Sequence, residues 1–437
     1  MIITRTQMRY YILVFYLLYF FWDRLFEGLL NLSMAGVFRP IIIMSLWGYT
    51  LLNLQHLKST VGCYNKLKKW FYFASILALV LIIRSLFLGV PIGAIVYTYL
   101  QHFGFAPIVL HILSFAHRPI YVKKILVVLM VSTIFLSIGV IADAFIGIHN
   151  IINVQGIEHL TRLGIQGVKR GDFTIGSTNV FVFLSVGMMA VYLLVTKFRY
   201  KLLNSFFALS IITVAMYASH SRTSSILGML FLIIITMVLL KFKRYFLKIG
   251  FIIIVTFSLF TTLIQLNILT FNIENLTRYD NILSEDTEGN LGRFNAWGRG
   301  VVVMQDLSNL PGNGIGATNS QTAVLFGNKL SEHGFESSLF ARYYEGGIFG
   351  LILFLLPLFL CIKVYKTRRL DVVVVIWMLL LYINFSIAPA AQGYPSNLII
   401  FIAVGLSMLF STYCYKKPKN AYQEESIKFN QKNTRLS

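Results

Sequence analysis

Charged residues are scarce in this chain of 437 residues. They make up 13% of the sequence, whereas an ordinary soluble domain has about 25%. Because so few charged groups give too little polar surface to cover a chain of this length in water, the composition argues against a soluble globular protein. Hydrophobic residues amount to 57% and aromatic residues to 15%, and the mean hydropathy is +0.72. A membrane protein is therefore the first expectation.

Cysteine and acidic residues are also few. The three cysteines, Cys63, Cys361 and Cys414, are far apart and form no C-x-x-C pair, which argues against a disulfide framework or a thiolate metal site. Only 17 Asp and Glu stand against 38 Lys and Arg, which gives a formal charge of +21. A basic excess can indicate nucleic-acid binding, but the hydrophobicity favours a membrane, and we expect no nucleic-acid partner.

Apolar runs of the length that crosses a bilayer, about 20 residues, recur along the chain. The windows are 10–30, 37–54, 70–88, 91–116, 122–146, 173–195, 203–219, 224–240, 246–270, 337–362, 371–388 and 396–415. They predict an all-α, polytopic integral membrane protein with about 12 transmembrane helices. Residues 1–415 are expected to form a single membrane domain, followed by a polar cytoplasmic tail at 416–437. Long loops are predicted at 147–172 and at 271–336, and the second of these precedes the third-last helix.

The basic residues predict the orientation of these spans. With the N-terminus in the cytoplasm, the cytoplasmic segments hold 26 of the 38 basic residues and the outer segments hold 8. Such a bias follows the positive-inside rule. Both termini are therefore predicted to be cytoplasmic, and both long loops extracytoplasmic. Membrane lipids are expected partners.

Several arginines lie at or inside the predicted spans. Arg84 is near the outer end of the third span and Arg342 is about one and a half turns into the tenth, while Arg24 and Arg39 lie near outer ends of the first two. Guanidinium groups bind phosphate bidentately, so a cluster of them at the outer face suits a phosphate-bearing lipid. Snorkelling to the headgroups is the alternative, and it suits Arg84 less well.

A short polar turn, Ser219–Ser225, joins the seventh and eighth spans on the predicted outer side. Thr223 or a neighbouring serine can cap the eighth helix, and the exposed amides together with Arg222 can form an anion site. A plain capped turn is the alternative explanation. It does not require an arginine on the side where basic residues are scarce.

The long outer loop contains a helical pattern and then a glycine-rich turn. Residues 292–297 resemble the start of an amphipathic helix, with Trp297, Val301 and Met304 at helical spacing. Three alternating glycines follow within 310–316. Neither a strand–turn–helix unit nor a G-K-[ST] motif accompanies them, so a flexible turn is favoured over a nucleotide-binding loop.

The end of this loop carries ionisable residues into the tenth span. If the segment is helical, His333 and Glu336 share one face, and Arg342 and Glu345 lie close enough to pair. Gly346-x-x-x-Gly350 predicts close helix packing. Ionisable groups within a membrane are functional candidates by default. His102 and His111 in the fourth span are expected to be ordinary buried polar residues.

These motifs together resemble the bacterial O-antigen ligase/polymerase superfamily. The matching segments are Ser221-Arg222, 293–297 (RFNAW), 311–316 (PGNGIG), 336–339 (ESSL) and 345–350 (EGGIFG). They lie within about residues 170–360, and the rest of the chain is similar only as apolar spans. At the position of the family's loop histidine this chain has Glu336, with His333 one turn earlier. That departure favours the polymerase branch over the ligase.

The resemblance implies a Wzy-type polymerase of O-antigen or capsular polysaccharide. Such enzymes act at the outer face of the bacterial cytoplasmic membrane on undecaprenyl-pyrophosphate-linked repeat units, and they need neither a metal, a cofactor nor a nucleotide sugar. A chain-length regulator and a flippase are implied as partners. The growing chain moves from its carrier onto the non-reducing end of a new lipid-linked unit.

The residues suit this glycosyl transfer. A departing pyrophosphate requires cations, and an acceptor hydroxyl requires a base. The predicted catalytic residues are Glu336 as first choice of base, His333 as second, and Arg222 and Arg293 as cations. The predicted substrate-binding residues are Arg84, Arg342, Glu345, Trp297, Tyr343 and Tyr344. The 271–336 loop can act as a lid.

Other functions remain open at this point. An O-antigen ligase would have the same fold and a different acceptor. A lipid-linked oligosaccharide flippase would have a similar number of spans, but it would not need one long outer loop rich in Arg, His and Glu. A structural or sensory membrane protein would make the motif matches accidental.

Overall fold

The computed structural model describes most of the chain as helices. Its described residues are 4–29, 35–146, 180–198, 200–219, 221–239, 298–318, 337–364, 369–387 and 394–410, and they contain no strand. The helices are α1 (Arg5–Leu29), α2 (Ala35–Leu52), α3 (Leu54–Thr60), α4 (Tyr64–Phe87), α5 (Ile92–Phe103), α6 (Pro107–Leu113), α7 (Pro119–Ile146), α8 (Val180–Phe198), α9 (Leu202–Ala218), α10 (Arg222–Leu239), α11 (Ser338–Val364), α12 (Arg369–Ile387) and α13 (Tyr394–Phe410). The predicted all-α class is confirmed for these residues.

The predicted windows coincide with helices wherever the structure describes them. The window 246–270, the tail 416–437 and the loop 147–172 lie outside the described residues. Among the described residues, five helical segments are long and apolar enough to cross a membrane: Tyr64–Phe87, Ile92–Leu113, Pro119–Phe145, Val180–Phe198 and Ser338–Lys363. Four shorter apolar helices accompany them. The described helices therefore support a membrane protein, and the number of twelve spans stays a prediction.

Helix α8 lies at the centre of the bundle. In its most apolar window 83% of the residues are buried, and α7, α9, α10, α12 and α13 pack around it. A helix that is apolar on every side needs every side covered by other helices or by lipid, and in α8 other helices cover most of it. Helix α4 is the opposite case, since only 22% of its window is buried. Its exposed Ile76, Leu79 and Ile83 form an apolar surface of the kind that lipid covers.

Two of the spans are broken within their length. The predicted span 91–116 consists of α5 and α6, because Pro107 has no N–H to continue the helix and begins a new one. Helix α11 is interrupted at Gly347, where φ is 56° and ψ is −145°. A left-handed φ favours glycine, which has no Cβ. Irregular backbone at membrane depth is tolerated where protein groups satisfy its hydrogen bonds.

The cysteines differ from expectation at one residue. Cys63 is disulfide-bonded, a single bond that the wide spacing of the cysteines along the chain did not predict. Spacing along the chain says little about distance once spans fold back on each other. Cys361 is free and buried in the bundle, and Cys414 lies outside the described residues.

Candidate functional site

Within the long loop 271–336, residues 310–318 form a compact turn, here called the glycine turn. It follows a helical segment at 298–305, which agrees with the amphipathic helix predicted there. Asp306 then accepts a hydrogen bond from the Ser308 amide at 2.9 Å, and this bond lowers the pKa of its carboxyl group. Gly312, Gly314 and Gly316 have φ values of 83°, 103° and 88°. The predicted turn is confirmed, and its three alternating glycines supply left-handed backbone.

The break in α11 and the glycine turn satisfy each other's backbone groups. In an unbroken helix the Ile348 amide would donate to the Tyr344 carbonyl, but here it donates to the Leu310 carbonyl at 3.1 Å. The carbonyls of Tyr344 and Glu345 accept instead from the amides of Asn313 and Gly314, both at 2.9 Å. The turn is therefore ordered by the broken helix, whereas the sequence favoured a flexible one.

The other side of the glycine turn contacts the end of α4. The hydroxyl of Ser85, which is fully buried, accepts a hydrogen bond from the Ile315 amide at 2.9 Å. The Nε of Arg84 donates to the Gly312 carbonyl at 3.4 Å. Arg84 is in the last turn of α4, as predicted, and is partly exposed. The turn thus joins two helices that lie far apart in the sequence.

A buried ionic cluster lies beneath the turn. Arg342 and Glu345 are 7% and 5% exposed, and Nη1 of Arg342 lies 2.6 Å from Oε2 of Glu345. The predicted pairing of these residues is confirmed. Oε1 of Glu345 accepts a hydrogen bond from the Thr318 hydroxyl at 2.7 Å. The Nε2 atom of His102, from α5, contacts Nη1 of Arg342.

A small cavity of about 50 Å³ borders this cluster. Its polar lining comes from His102, Arg342, Glu345 and Asn397. The remaining lining is mainly apolar, with Leu81, Phe103, Leu353, Phe354, Ile400 and Phe401 among its members. A space of this size can hold a few water molecules but no sugar ring.

The predicted site residues fall into two groups. The structure brings together Arg84, Arg342, Glu345 and Tyr344 around the glycine turn, while Tyr343 is 4% exposed and faces the bundle. Glu336, His333, Arg293 and Trp297 lie outside the described residues. For these residues the predicted roles stay predictions.

Arg222 is the first residue of α10, and its side chain is not among those described. The capping group is Ser221, whose hydroxyl accepts from the Ser224 amide at 3.4 Å. The predicted serine cap is therefore confirmed. The Ser224 hydroxyl accepts from the Phe181 amide at 3.1 Å and ties this turn to α8.

Sequence reasoning missed three residues of this region. His102 was expected to be an ordinary buried polar residue, as His111 is, which contacts the Thr50 hydroxyl at 2.8 Å. Ser85 and Thr318 were not singled out at all. No local pattern marks them, because their partners lie 230 and 27 residues away in the sequence. Among the described residues, no three potential metal ligands lie together.

The helices and the buried ionic cluster define a helical membrane protein with a loop turn anchored to two spans. Residues 206–355 match the family model described as O-Antigen ligase. This range begins in α9, contains the glycine turn and ends in α11. Comparison with curated proteins gives no match.

The family match supports placement in the O-antigen ligase/polymerase superfamily. A function of that type, glycosyl transfer in the assembly of surface polysaccharide from lipid-linked substrates, is supported with it.

Proposed function

We propose that this protein polymerises undecaprenyl-pyrophosphate-linked oligosaccharide units into O-antigen or a similar surface polysaccharide. The observation that carries this proposal is the family match over 206–355, which includes both the glycine turn and the broken helix that holds it. Glu336 in place of the family's loop histidine favours polymerisation over ligation. The bias of basic residues favours action at the outer face of the cytoplasmic membrane, with both termini inside.

Arg84 is the arginine of the described site best placed to contact a pyrophosphate. It lies in the last turn of α4 and is partly exposed. Its Nε bond to Gly312 orients the guanidinium, and no bond of its terminal nitrogens is found in the described part of the chain. Those two nitrogens suit bidentate binding of a phosphate group. Membrane-embedded substrate with its headgroup at this level would meet them directly.

Arg342 and Glu345 suit a different role. Their charges neutralise each other at 2.6 Å, and a buried pair has little field left for an incoming anion. Glu345 also accepts from the backbone amide of Thr318, at 3.4 Å. We therefore assign this pair to holding the glycine turn, and we keep Arg222 and Arg293 as further cations at the pyrophosphate.

The proposed reaction is a single displacement at the anomeric carbon of the donor chain. A hydroxyl oxygen of the acceptor unit forms the new glycosidic bond. The bond from that carbon to the pyrophosphate oxygen breaks, and the carrier leaves with the electron pair. The hydroxyl proton passes to a base, Glu336 first or His333 second. Trp297 and Tyr344 supply aromatic faces for sugars, and no metal or nucleotide sugar takes part.

The test uses a strain from which the gene has been deleted, complemented with variants. We expect R222A and R293A to abolish long glycan chains while the protein remains in the membrane at normal levels. An R118Q variant, on the predicted cytoplasmic side, is the matched control and should restore wild-type chains. Normal chain lengths in both R222A and R293A would refute the proposed roles.

A ligase is the second candidate, because the matching family model is described as O-Antigen ligase. Lipopolysaccharide gels separate the possibilities. Loss of a polymerase leaves core carrying one repeat unit, and loss of a ligase leaves bare core. Loss of a flippase instead leaves lipid-linked units on the inner leaflet. A chain-length regulator and a flippase remain proposed partners of the polymerase.

A further inference from the structure

His102 joins the ionic cluster from a helix that carries none of the family motifs. It is in the last turn of α5, just before the break at Pro107. Its Nε2 atom contacts Nη1 of Arg342 and lies 4.0 Å from Oε2 of Glu345. The contact joins residues 240 apart in the sequence. It therefore links one broken span, α5–α6, to the other, α11, close to both breaks.

The chemistry of arginine determines the protonation of this histidine. A guanidinium group has only donors and stays charged in proteins. Nε2 of His102 must therefore accept the hydrogen bond, and the ring must be neutral with its proton on Nδ1. His102 lines the small cavity, and its Nδ1 atom is buried with no hydrogen-bond partner in the described part of the chain. The two nitrogens thus face different surroundings.

The acceptor at Nε2 is the first link in a series of contacts that reaches Arg84. Arg342 binds Glu345, and Glu345 accepts from the Thr318 hydroxyl at the end of the glycine turn. Earlier in that turn, the Gly312 carbonyl accepts from Nε of Arg84. A change in the direction of Arg342 would be passed to Glu345 and then to the turn.

We propose that His102 is a positioning residue, whose Nε2 atom orients Arg342 so that Glu345 holds the glycine turn against α4. Its effect on activity rests on the proposed function, since it acts through the placement of Arg84. Its effect on the position of the glycine turn is independent of the proposed function. His102 itself contacts neither substrate nor reacting atoms in this arrangement.

Two neutral amides separate the roles of the ring nitrogens. In H102Q the amide oxygen can reach the place of Nε2, whereas the shorter side chain of H102N reaches only the place of Nδ1. Hydrogen–deuterium exchange of the purified full-length protein in lipid nanodiscs measures the turn directly. The amides of Asn313, Gly314 and Ile315 donate to Tyr344, Glu345 and Ser85 when the turn is docked.

We expect exchange of the 310–318 peptide to rise at least tenfold in H102N and to stay near wild type in H102Q. Peptides of α8 should not change in either variant, which excludes general unfolding. Equal exchange of the turn in the two variants, at whatever level, would overturn the proposal. So would protection of the turn in H102N with increased exchange in H102Q, because Nδ1 would then be the ring nitrogen that matters.

Polymerisation assays with lipid-linked substrate supply the second measurement. Since Arg84 is proposed to bind the pyrophosphate in the ground state and the transition state alike, H102N should raise KM about tenfold with little change in kcat. The KM of H102Q should stay within about threefold of the wild-type KM. If wild-type protein makes no polymer, the proposed function fails, while the exchange experiment still decides the role of His102. A fall in kcat alone in H102N would contradict its action through Arg84.

Discussion

The carbonyl oxygen of Leu310 occupies the space in which a side chain at Gly347 would begin. A Cβ atom built on Gly347 would lie 1.8 Å from that oxygen, and the next amide, Ile348, donates to it at 3.1 Å. The glycine turn and α11 therefore touch backbone to backbone. Any substitution that adds a side chain at position 347 of α11 must therefore displace the glycine turn.

We expect G347A to destabilise the protein strongly. Its φ of 56° and ψ of −145° lie in a region that essentially only glycine adopts and that costs another residue on the order of 1–3 kcal/mol, and the clash with Leu310 adds to this. Thermal unfolding in detergent, followed by tryptophan fluorescence, measures the effect. Gly48, inside α2, provides the control because an added Cβ there meets nothing within 4 Å. G48A should be neutral or slightly stabilising. An equal melting temperature for G48A and G347A would contradict the close contact between Gly347 and Leu310.

Removing the Ser85 hydroxyl should cost more than removing a similar hydroxyl elsewhere. In S85A the Ile315 amide loses its acceptor at 2.9 Å, and an unpaired buried amide costs about 1–3 kcal/mol. Ser137 is equally buried, but its hydroxyl only donates to the Thr133 carbonyl of its own helix. S137A should therefore cost less than S85A. Chemical or thermal unfolding of the two variants side by side tests this difference.

Removing one partner of the Arg342–Glu345 ion pair should lower the stability of the protein more than removing both partners. E345Q leaves the Arg342 guanidinium buried without its carboxylate partner, and such changes cost about 3–5 kcal/mol. The double variant R342Q/E345Q leaves no buried charge and should recover a large part of the lost stability. Folded yield and melting temperature in detergent report both effects. If the double variant is no more stable than E345Q, the pair is not the source of the loss.

Substitution of Arg84 should affect substrate binding rather than folding. R84Q removes a charge-assisted phosphate contact worth about 1.5–3 kcal/mol, so KM for the lipid-linked unit should rise roughly 10- to 100-fold. R84K keeps the positive charge but loses the forked guanidinium donors. Its KM should lie between those of the wild type and R84Q. R118Q is the control for loss of an arginine. Unchanged KM in R84Q with normal polymer would exclude Arg84 from the pyrophosphate site.

Local sequence patterns predicted those structural features that are determined by residues close together in the sequence. Apolar windows matched helices because a bilayer demands about 20 apolar residues in succession. The spacing of Arg342 and Glu345 predicted their pairing because residues three apart share a helix face. Gly346 was predicted to allow close packing, and a Cβ added there would lie 3.1 Å from Cδ2 of Leu81 in α4.

The arrangement of the turn was not predictable in the same way. Nothing near Ser85 or His102 indicates their partners, because both contacts depend on how distant spans pack. The break at Gly347 also escaped prediction. The sequence contains two consecutive glycines, Gly346 and Gly347. Only the hydrogen bonds with Leu310, Asn313 and Gly314 show why the helix is interrupted at this place.

The bond between Ser85 and Ile315 also has a consequence for how the protein is made. Its two partners are 230 residues apart, and a ribosome adding about 5–20 residues per second needs on the order of 10–50 s to cover that distance. During this interval α4 is in the membrane without the segment that completes its end. Until the turn arrives, the Ser85 hydroxyl can be held by the Leu81 carbonyl of its own helix, whereas the charged Arg84 must stay near water or lipid headgroups. Assembly of the proposed site therefore has to wait until a segment 230 residues after α4 has been made.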